Sequence, residues 1–280
     1  MSELDEKIRR SVKILRMGAQ DKQVEISYSG GKDSDVILTL AKIAEIDFRP
    51  IYKCTTIDPP GTVAHSRAAG AEVIRPEKTF FQLISEHGFP TMRARFCCEY
   101  LKEYKIMDTA VQGIRRSESV KRAARYWEPI ICRTYGKKSN HVNVILPILD
   151  WTDDDIAEFV VAHGIRCHPL YYDEDGRFHA ERRLGCLGCP LKSDRGLWDF
   201  RKYPKLVRCW LKAGNEWFHR PRKRKTGLGS REKFGNVYNL FVHNVFFDSY
   251  DAFDSTQNGL FGKQDCKAFL EDYFKIDLTL

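Results

Sequence analysis

The sequence predicts an α/β protein on a mostly parallel sheet with a small C-terminal α-rich extension. Three observations predict it. Short strand-like runs alternate with apolar helical patterns through the first half of the chain. A glycine-rich hexamer, Ser29-Gly30-Gly31-Lys32-Asp33-Ser34, stands between one such strand and one such helix. The 280 residues are 42% hydrophobic and 12% aromatic, enough for one substantial core with an appendage.

The elements follow in order. Residues 3–17 read as an amphipathic helix with Ile8, Val12, Ile14 and Leu15 on one side. Val24 to Tyr28 reads as a strand, and Val36 to Ala41, after the hexamer, as a buried helix. Arg49 to Thr55 and Ala71 to Ile74 read as the next strands, with a helix around Phe80 to Glu86. Thr109 to Ile114 is a further strand, Ser117 to Arg125 a helix, and Val142 to Leu146 a strand. Thr152 caps a helix through His163, where Asp153, Asp154 and Asp155 suit the positive helix end. The alternation stops near residue 165, and 166–200 reads as loop rich in Gly, Pro, Cys and charge. Residues 1–200 are expected to form the main α/β domain, and 201–280 a basic and aromatic extension that is helical near Cys266 to Phe274.

Charge and hydropathy narrow the class. No run approaches the ~20 apolar residues of a membrane helix. The charged start MSELDEKIRR lacks a signal-peptide apolar region, so a cytoplasmic protein without membrane contact is expected. The net charge of +8 is uneven: residues 201–233 carry 12 Lys/Arg against 2 acids, whereas residues 1–200 carry 31 against 29.

At the end of a strand and the start of a helix, the hexamer's backbone N–H groups make an anion site. Its glycines permit close approach, Lys32 supplies charge, and Ser29 and Ser34 supply hydroxyls. This is not a Walker A loop, which needs four residues between its first glycine and Gly-Lys-Ser/Thr. Ser29 to Ser34 instead resembles the signature loop of the N-type ATP pyrophosphatases, the adenine nucleotide α-hydrolase-like superfamily. The resemblance implies a doubly wound, mostly parallel sheet and a nucleotide whose phosphates, or sulfate, lie in the loop, with Mg²⁺ beside ATP. Asp58, in Thr55 to Pro59, matches the position of an acid in that family. Gly113-Ile114-Arg115-Arg116-Ser117-Glu118-Ser119 with Arg122 resembles the family's Gly-x-Arg-x-x-x-Ser-x-x-Arg element. Arg115 is thereby a candidate phosphate fork, and Arg122 either another or a partner of Glu118. Leu146 to Thr152 is similar to the Leu-Pro-x-x-x-Trp-Thr element, and together these matches point to the phosphoadenylyl-sulfate reductase-like branch. Lys32, Asp33 and Arg115 are the implied catalytic residues.

Nine cysteines are unusual without an export signal. Cys97-Cys98 and Cys186-x-x-Cys189 are two close pairs of thiols suited to a metal centre. Their arrangement is similar to the cluster signature of adenylyl-sulfate reductases, which implies a 4Fe–4S cluster, with zinc as the second choice. Cys167 is an alternative ligand. Cys54 and Cys132 read as core. Arg93, Arg95, Lys102, Arg182 and Arg183 flank the pairs and would offset a cluster's charge.

Sulfonucleotide reductases end in a Glu-Cys-Gly-Ile/Leu-His tail that carries their nucleophile. Here the tail's cysteine is Cys266, flanked by Asp265 and Lys267. The departure argues against direct sulfonucleotide reduction. His219 to Lys233 is strongly cationic, and Trp210, Trp217 and Phe218 lie upstream. Such a segment suits a nucleic-acid backbone, with aromatics for stacking or for packing. The expectation is an ATP pyrophosphatase-type sulfur-transfer enzyme acting on nucleic acid. It would draw sulfur through a cysteine desulfurase or a thiol reductant. A sulfonucleotide reductase and a non-catalytic accessory subunit are the alternatives, and homo-oligomerisation stays open.

Overall fold

The computed structural model describes residues 2–135, 140–221, 234–246 and 266–279. Helix α1 (Glu3–Ala19) opens with a capping box between Ser2 and Asp5. Then follow β1 (Val24–Tyr28), α2 (Lys32–Ile43), β2 (Phe48–Lys53), α3 (Thr62–Ala68) and β3 (Glu72–Ile74). After α4 (Phe80–His87) and α5 (Phe96–Leu101) come β4 (Thr109–Val111), α6 (Val120–Arg125), β5 (Ile130–Tyr135), β6 (Asn140–Ile145) and α7 (Asp153–Ala162). The C-terminal helices are α8 (Leu197–Lys202), α9 (Pro204–His219), α10 (Val237–Phe246) and α11 (Cys266–Phe274).

The six strands form one sheet in the order β3-β2-β1-β4-β6-β5. Every pairing is parallel except β5 with β6, which is antiparallel. The chain runs outward from β1 to β3 and then returns to the other side of β1 as β4. The order therefore reverses between β1 and β4, and their carboxyl ends frame the crevice where such sheets place ligands. The doubly wound sheet is the fold the sequence predicts.

Burial on both faces explains the apolar strands. Val24, Ile26 and Tyr28 of β1 are buried, as are Val36, Ile37, Leu40 and Ala41 of α2. Trp151, before α7, donates its indole N–H to Ser11 at 3.1 Å, and Ser11 donates to the Pro147 carbonyl at 2.7 Å. This chain of bonds pins α1 to the entry of α7. Glu25 is the polar exception in β1, fully buried and paired with Lys53 at 3.2 Å.

The structure adjusts three sequence expectations. β4 ends at Val111 rather than Ile114, because Gly113 leaves the sheet to approach Asp33. The expected Ser117–Arg125 helix is split at Ser119, whose hydroxyl caps α6 by accepting the Arg122 N–H at 3.2 Å. Cys132 is not core: β5 is an antiparallel edge strand, and this cysteine is exposed on it.

The chain divides into two compact units, Met1–Pro76 with Glu99–Gly185, and Glu77–Cys98 with Cys186–Leu280. In the second unit, Phe80, Phe89, Phe200 and Phe241 surround Trp210 at ring-centroid distances of 5.1 to 6.4 Å. Trp210 is thus core. Trp217 packs over Gly88, where a Cβ would lie 2.9 Å from its indole. Among the described residues, no helix is long and apolar enough to cross a membrane.

Candidate active site

The hexamer joins β1 to α2 at the sheet's crevice. Gly30 has φ +75°, and a Cβ there would lie 2.9 Å from the Thr62 methyl, so both conformation and space demand glycine. Gly31 is the N-cap of α2 and has no side chain to satisfy the helix's first N–H groups. Its carbonyl accepts the Ser34 and Asp35 N–H groups at 2.9 and 3.1 Å, and the Ser34 hydroxyl at 2.6 Å. Ser29 Oγ accepts the Gly31 N–H at 3.3 Å. The loop is a preformed cradle at a helix N-terminus.

Lys32 is 2% exposed, which is unusual for a lysine. Its Nζ lies 3.3 Å from Asp33 Oδ2, donates to the Arg182 carbonyl at 3.4 Å and stands 5.5 Å from the Tyr171 ring centre. Burial lowers the ammonium's pKa, and Asp33 opposes that shift only in part. Asp33 is held in turn by Arg115, whose Nε donates to Oδ1 at 2.7 Å. Arg115 is also 2% exposed, and its Nη2 donates to Asp153 at 2.7 Å. Its Nη1 reaches the Ser117 hydroxyl at 3.1 Å and the Trp151 carbonyl at 3.5 Å. Gly113 makes this geometry possible, since a Cβ there would meet Asp33 Cβ at 3.0 Å and its backbone at 3.2 Å.

The other sequence-predicted groups lie around this loop. Asp58 closes the turn after β2, accepting the Thr55 N–H and hydroxyl, each at 2.7 Å. A hollow of about 120 Å³ opens beside it, lined by Glu25, Ser27, Ser29, Lys53 and Thr55 among others. Arg122 pairs with Glu118, the second of the two roles the sequence left open for it. Burial, and then the nearby Arg183, lower its pKa. Arg183 itself lies 3.5 Å from the same carboxylate.

The thiols form a second candidate site. Cys97, Cys98, Cys186 and Cys189 all fall in the second compact unit. A hydrogen bond to Cys98, burial, and the charge of Cys98, Cys186 and Cys189 push the Cys97 thiol far above its usual range. All three other cysteines therefore lie near enough to act on Cys97. Among the described residues, no three His, Cys, Asp or Glu side chains are pre-set around a point that would hold an ion. What is pre-set is the Cys186–Cys189 turn. Gly188 has φ +69°, and its N–H donates to the buried Asp199 at 2.7 Å. Lys192 donates to the same Asp199 oxygen at 2.6 Å. Gly196 packs so tightly that its Cβ would lie 2.5 Å from Gly188 Cα. Trp210 turns an indole edge toward Gly188, and its buried Nε1 has no hydrogen-bond partner. The built turn and four soft ligands are the chemistry that would hold a thiolate-bound metal centre. Cys167 lies in the first unit, where burial and then Asp35 raise its thiol pKa.

A family model described as the phosphoadenosine phosphosulfate reductase domain matches residues 23–192. The chain belongs to this family. The chain is 30% identical over 203 residues to an uncharacterized protein of Methanocaldococcus jannaschii, spanning 67% of this chain and 46% of that one. It is 39% identical over 74 residues to a phosphoadenosine 5'-phosphosulfate reductase of Xanthomonas campestris, 25% of this chain and 27% of that one. The phosphoadenylyl-sulfate reductase of Candida auris, solved as a phosphate complex, aligns at 13% identity with a TM-score of 0.45, covering 66% of this chain and 96% of that one. The chain spans under half the length of the curated relatives it matches.

In this member of the phosphoadenosine phosphosulfate reductase family, Cys266 is buried at the start of α11. Most of the cationic segment 219–233, the expected nucleic-acid contact, lies outside the described residues. Two site residues escaped sequence reasoning. Asp153 reads from sequence as a helix-start acid, and its second role shows only when Arg115 reaches it. Asp199 bonds a turn 11 residues earlier in the chain, a pairing that no local pattern encodes.

Proposed function

We propose that this chain is an ATP pyrophosphatase-type sulfur-transfer enzyme that activates a nucleic-acid acceptor. The observation that carries the proposal is the buried Lys32 at the start of α2, inside a glycine cradle at the sheet's crevice. That combination suits the phosphates of a nucleotide. The triphosphate of ATP, with Mg²⁺, lies along Ser29 to Ser34, and Asp58 shapes the neighbouring turn. Lys32 and the loop N–H groups offset charge as the α–β bond breaks. Arg115 has most of its donors committed to protein, so it enters as a positioning residue that fixes Asp33.

The bond changes balance without a net redox step. An acceptor oxygen attacks the α-phosphorus, forming a new P–O bond and releasing pyrophosphate. Hydrosulfide then attacks the activated carbon or phosphorus, and AMP leaves with the original oxygen. Where sulfur arrives as a desulfurase persulfide, a thiol supplies the two electrons that free it. Cys97, Cys98, Cys186 and Cys189 would hold a 4Fe–4S cluster, with zinc the second choice. When bound, such a cluster supplies a centre able to carry sulfur or electrons.

Family membership supports a second reading, reduction of a sulfonucleotide. One experiment separates the two. Anaerobically purified protein is analysed for iron, sulfide and zinc, then offered ATP and sulfonucleotides in parallel. Equimolar pyrophosphate and AMP, formed with nucleic acid and a sulfide source, support the proposal. Sulfite release with a thiol reductant supports the reductase. Tight nucleotide binding without turnover leaves an accessory subunit.

A further inference from the structure

We propose that the face formed by residues 116–127 docks single-stranded nucleic acid, with Trp127 as its base-stacking platform. The proposal rests on the reading that the acceptor is a nucleic acid.

Trp127 is 75% exposed, which is rare for so large an apolar side chain. It is also held in place. Its indole N–H donates to the Ala124 carbonyl at 2.9 Å, so the ring is fixed without being covered. Arg116 grips the backbone beneath it, donating to the Tyr126 carbonyl at 2.7 Å and to the Trp127 carbonyl. A fixed, uncovered aromatic ring loses little entropy when a base stacks on it.

The surroundings select the partner's charge. From Arg115 to Trp127 the chain carries five cations and one acid, with Arg115 taken up by Asp33 and Asp153 and Arg116 by Asp150. That acid, Glu118, is shared by Arg122 and Arg183. Lys121 and Arg125 are exposed on α6, and neither has an acidic partner among the described residues. An apolar protein partner would want a contiguous greasy patch. Here the exposed apolar groups are Val120 and Trp127, set among cations. A polyanion with stackable faces fits, and a single strand offers such faces where a duplex hides them. The segment also begins at the candidate site, since Arg115 at its start holds Asp33.

The test is fluorescence anisotropy with labelled single-stranded RNA and DNA of about 20 nucleotides, and the matching duplex, over a salt series. Single strands are expected to bind more tightly than duplex. Trp127→Ala should weaken single-strand binding by roughly tenfold or more, and Trp127→Phe should retain most of it. The pair Lys121→Ala and Arg125→Ala should lower the salt slope by about one to two. Circular dichroism and melting show that each variant is folded. If Trp127→Ala binds like the wild type, or duplex binds as well as single strand, the platform is overturned while a nucleic-acid acceptor stands. If polyglutamate competes as well as the oligonucleotide, stacking is again overturned. If the wild type binds no nucleic acid, the reading of the acceptor fails and this proposal with it.

Discussion

Arg115 donates to Asp33 through Nε and to Asp153 through Nη2, both at 2.7 Å. One guanidinium thereby ties the first turn of α2, the segment after β4 and the start of α7. Arg115→Ala would leave Asp33 with Lys32 as its neighbouring cation and leave Asp153 without its partner. Removing one partner of a buried pair costs about 3–5 kcal/mol, and the half-exposed Asp153 sets the loss at the low end. The expected outcome is a fall of about 3 kcal/mol in urea-denaturation stability, with pyrophosphate formation lost. Arg115→Lys should recover part of the stability but little activity, because one ammonium cannot reproduce the fork.

Lys32 makes stability pH-dependent. Burial lowers its pKa in the folded state, so the unfolded chain binds the proton more tightly. The penalty is fully present below the folded pKa. It is relieved as pH rises through that value toward the ordinary lysine range. Stability from this group therefore increases with pH. Lys32→Met should flatten that rise and raise stability at pH 7, measured as urea midpoints at pH 7 and 9 in both proteins. Equal pH slopes in the two would remove Lys32 as the cause.

Periodicity and the loop made much of this fold legible. Val24 to Tyr28 reads as a strand because its apolar residues form a short run, and the structure gives β1 those bounds. Thr152 with three following aspartates marks the start of α7 equally well. β5 was not legible. As an edge strand it mixes Cys132, Arg133 and Thr134 into the run, which blurs the apolar signal. α9 was obscured by its Lys, Arg and Trp content, whose aromatics suit stacking and packing alike until Trp210 is seen in the core. At the site, the loop residues were legible because their spacing is local. The Arg115–Asp153 bond and the Asp199 support are long-range and leave no local pattern.

Gly188 tests the thiolate site. Its φ is +69°, and a Cβ would lie 2.7 Å from Phe200 and 2.9 Å from Trp210. Gly188→Ala should distort the Cys186–Cys189 turn at a cost of at least 1–2 kcal/mol, roughly the left-handed backbone penalty alone. Iron and acid-labile sulfide per chain should fall well below wild type. Asp199→Asn should act in the same direction, because it weakens the hold on the Gly188 N–H and strands Lys192. Undiminished metal content in both variants would detach this turn from metal binding.

Gly113 tests the loop from its other side. Gly113→Ala places a methyl against Asp33 and must push β4's exit away from α2. Nucleotide affinity should drop by roughly tenfold or more, with a stability loss of about 1–3 kcal/mol from overpacking. Calorimetric titration with a non-hydrolysable ATP analogue measures the first, and urea unfolding the second.

The most direct measurement is the affinity of a non-hydrolysable ATP analogue for wild type and Lys32→Met at pH 7, by isothermal titration calorimetry. The buried ammonium is predicted to be held against its own desolvation cost because it binds phosphate. Lys32→Met should therefore bind at least about tenfold more weakly while melting at the same or a higher temperature. Equal affinity in the two proteins would contradict the assignment of Ser29 to Ser34 as the nucleotide-phosphate site.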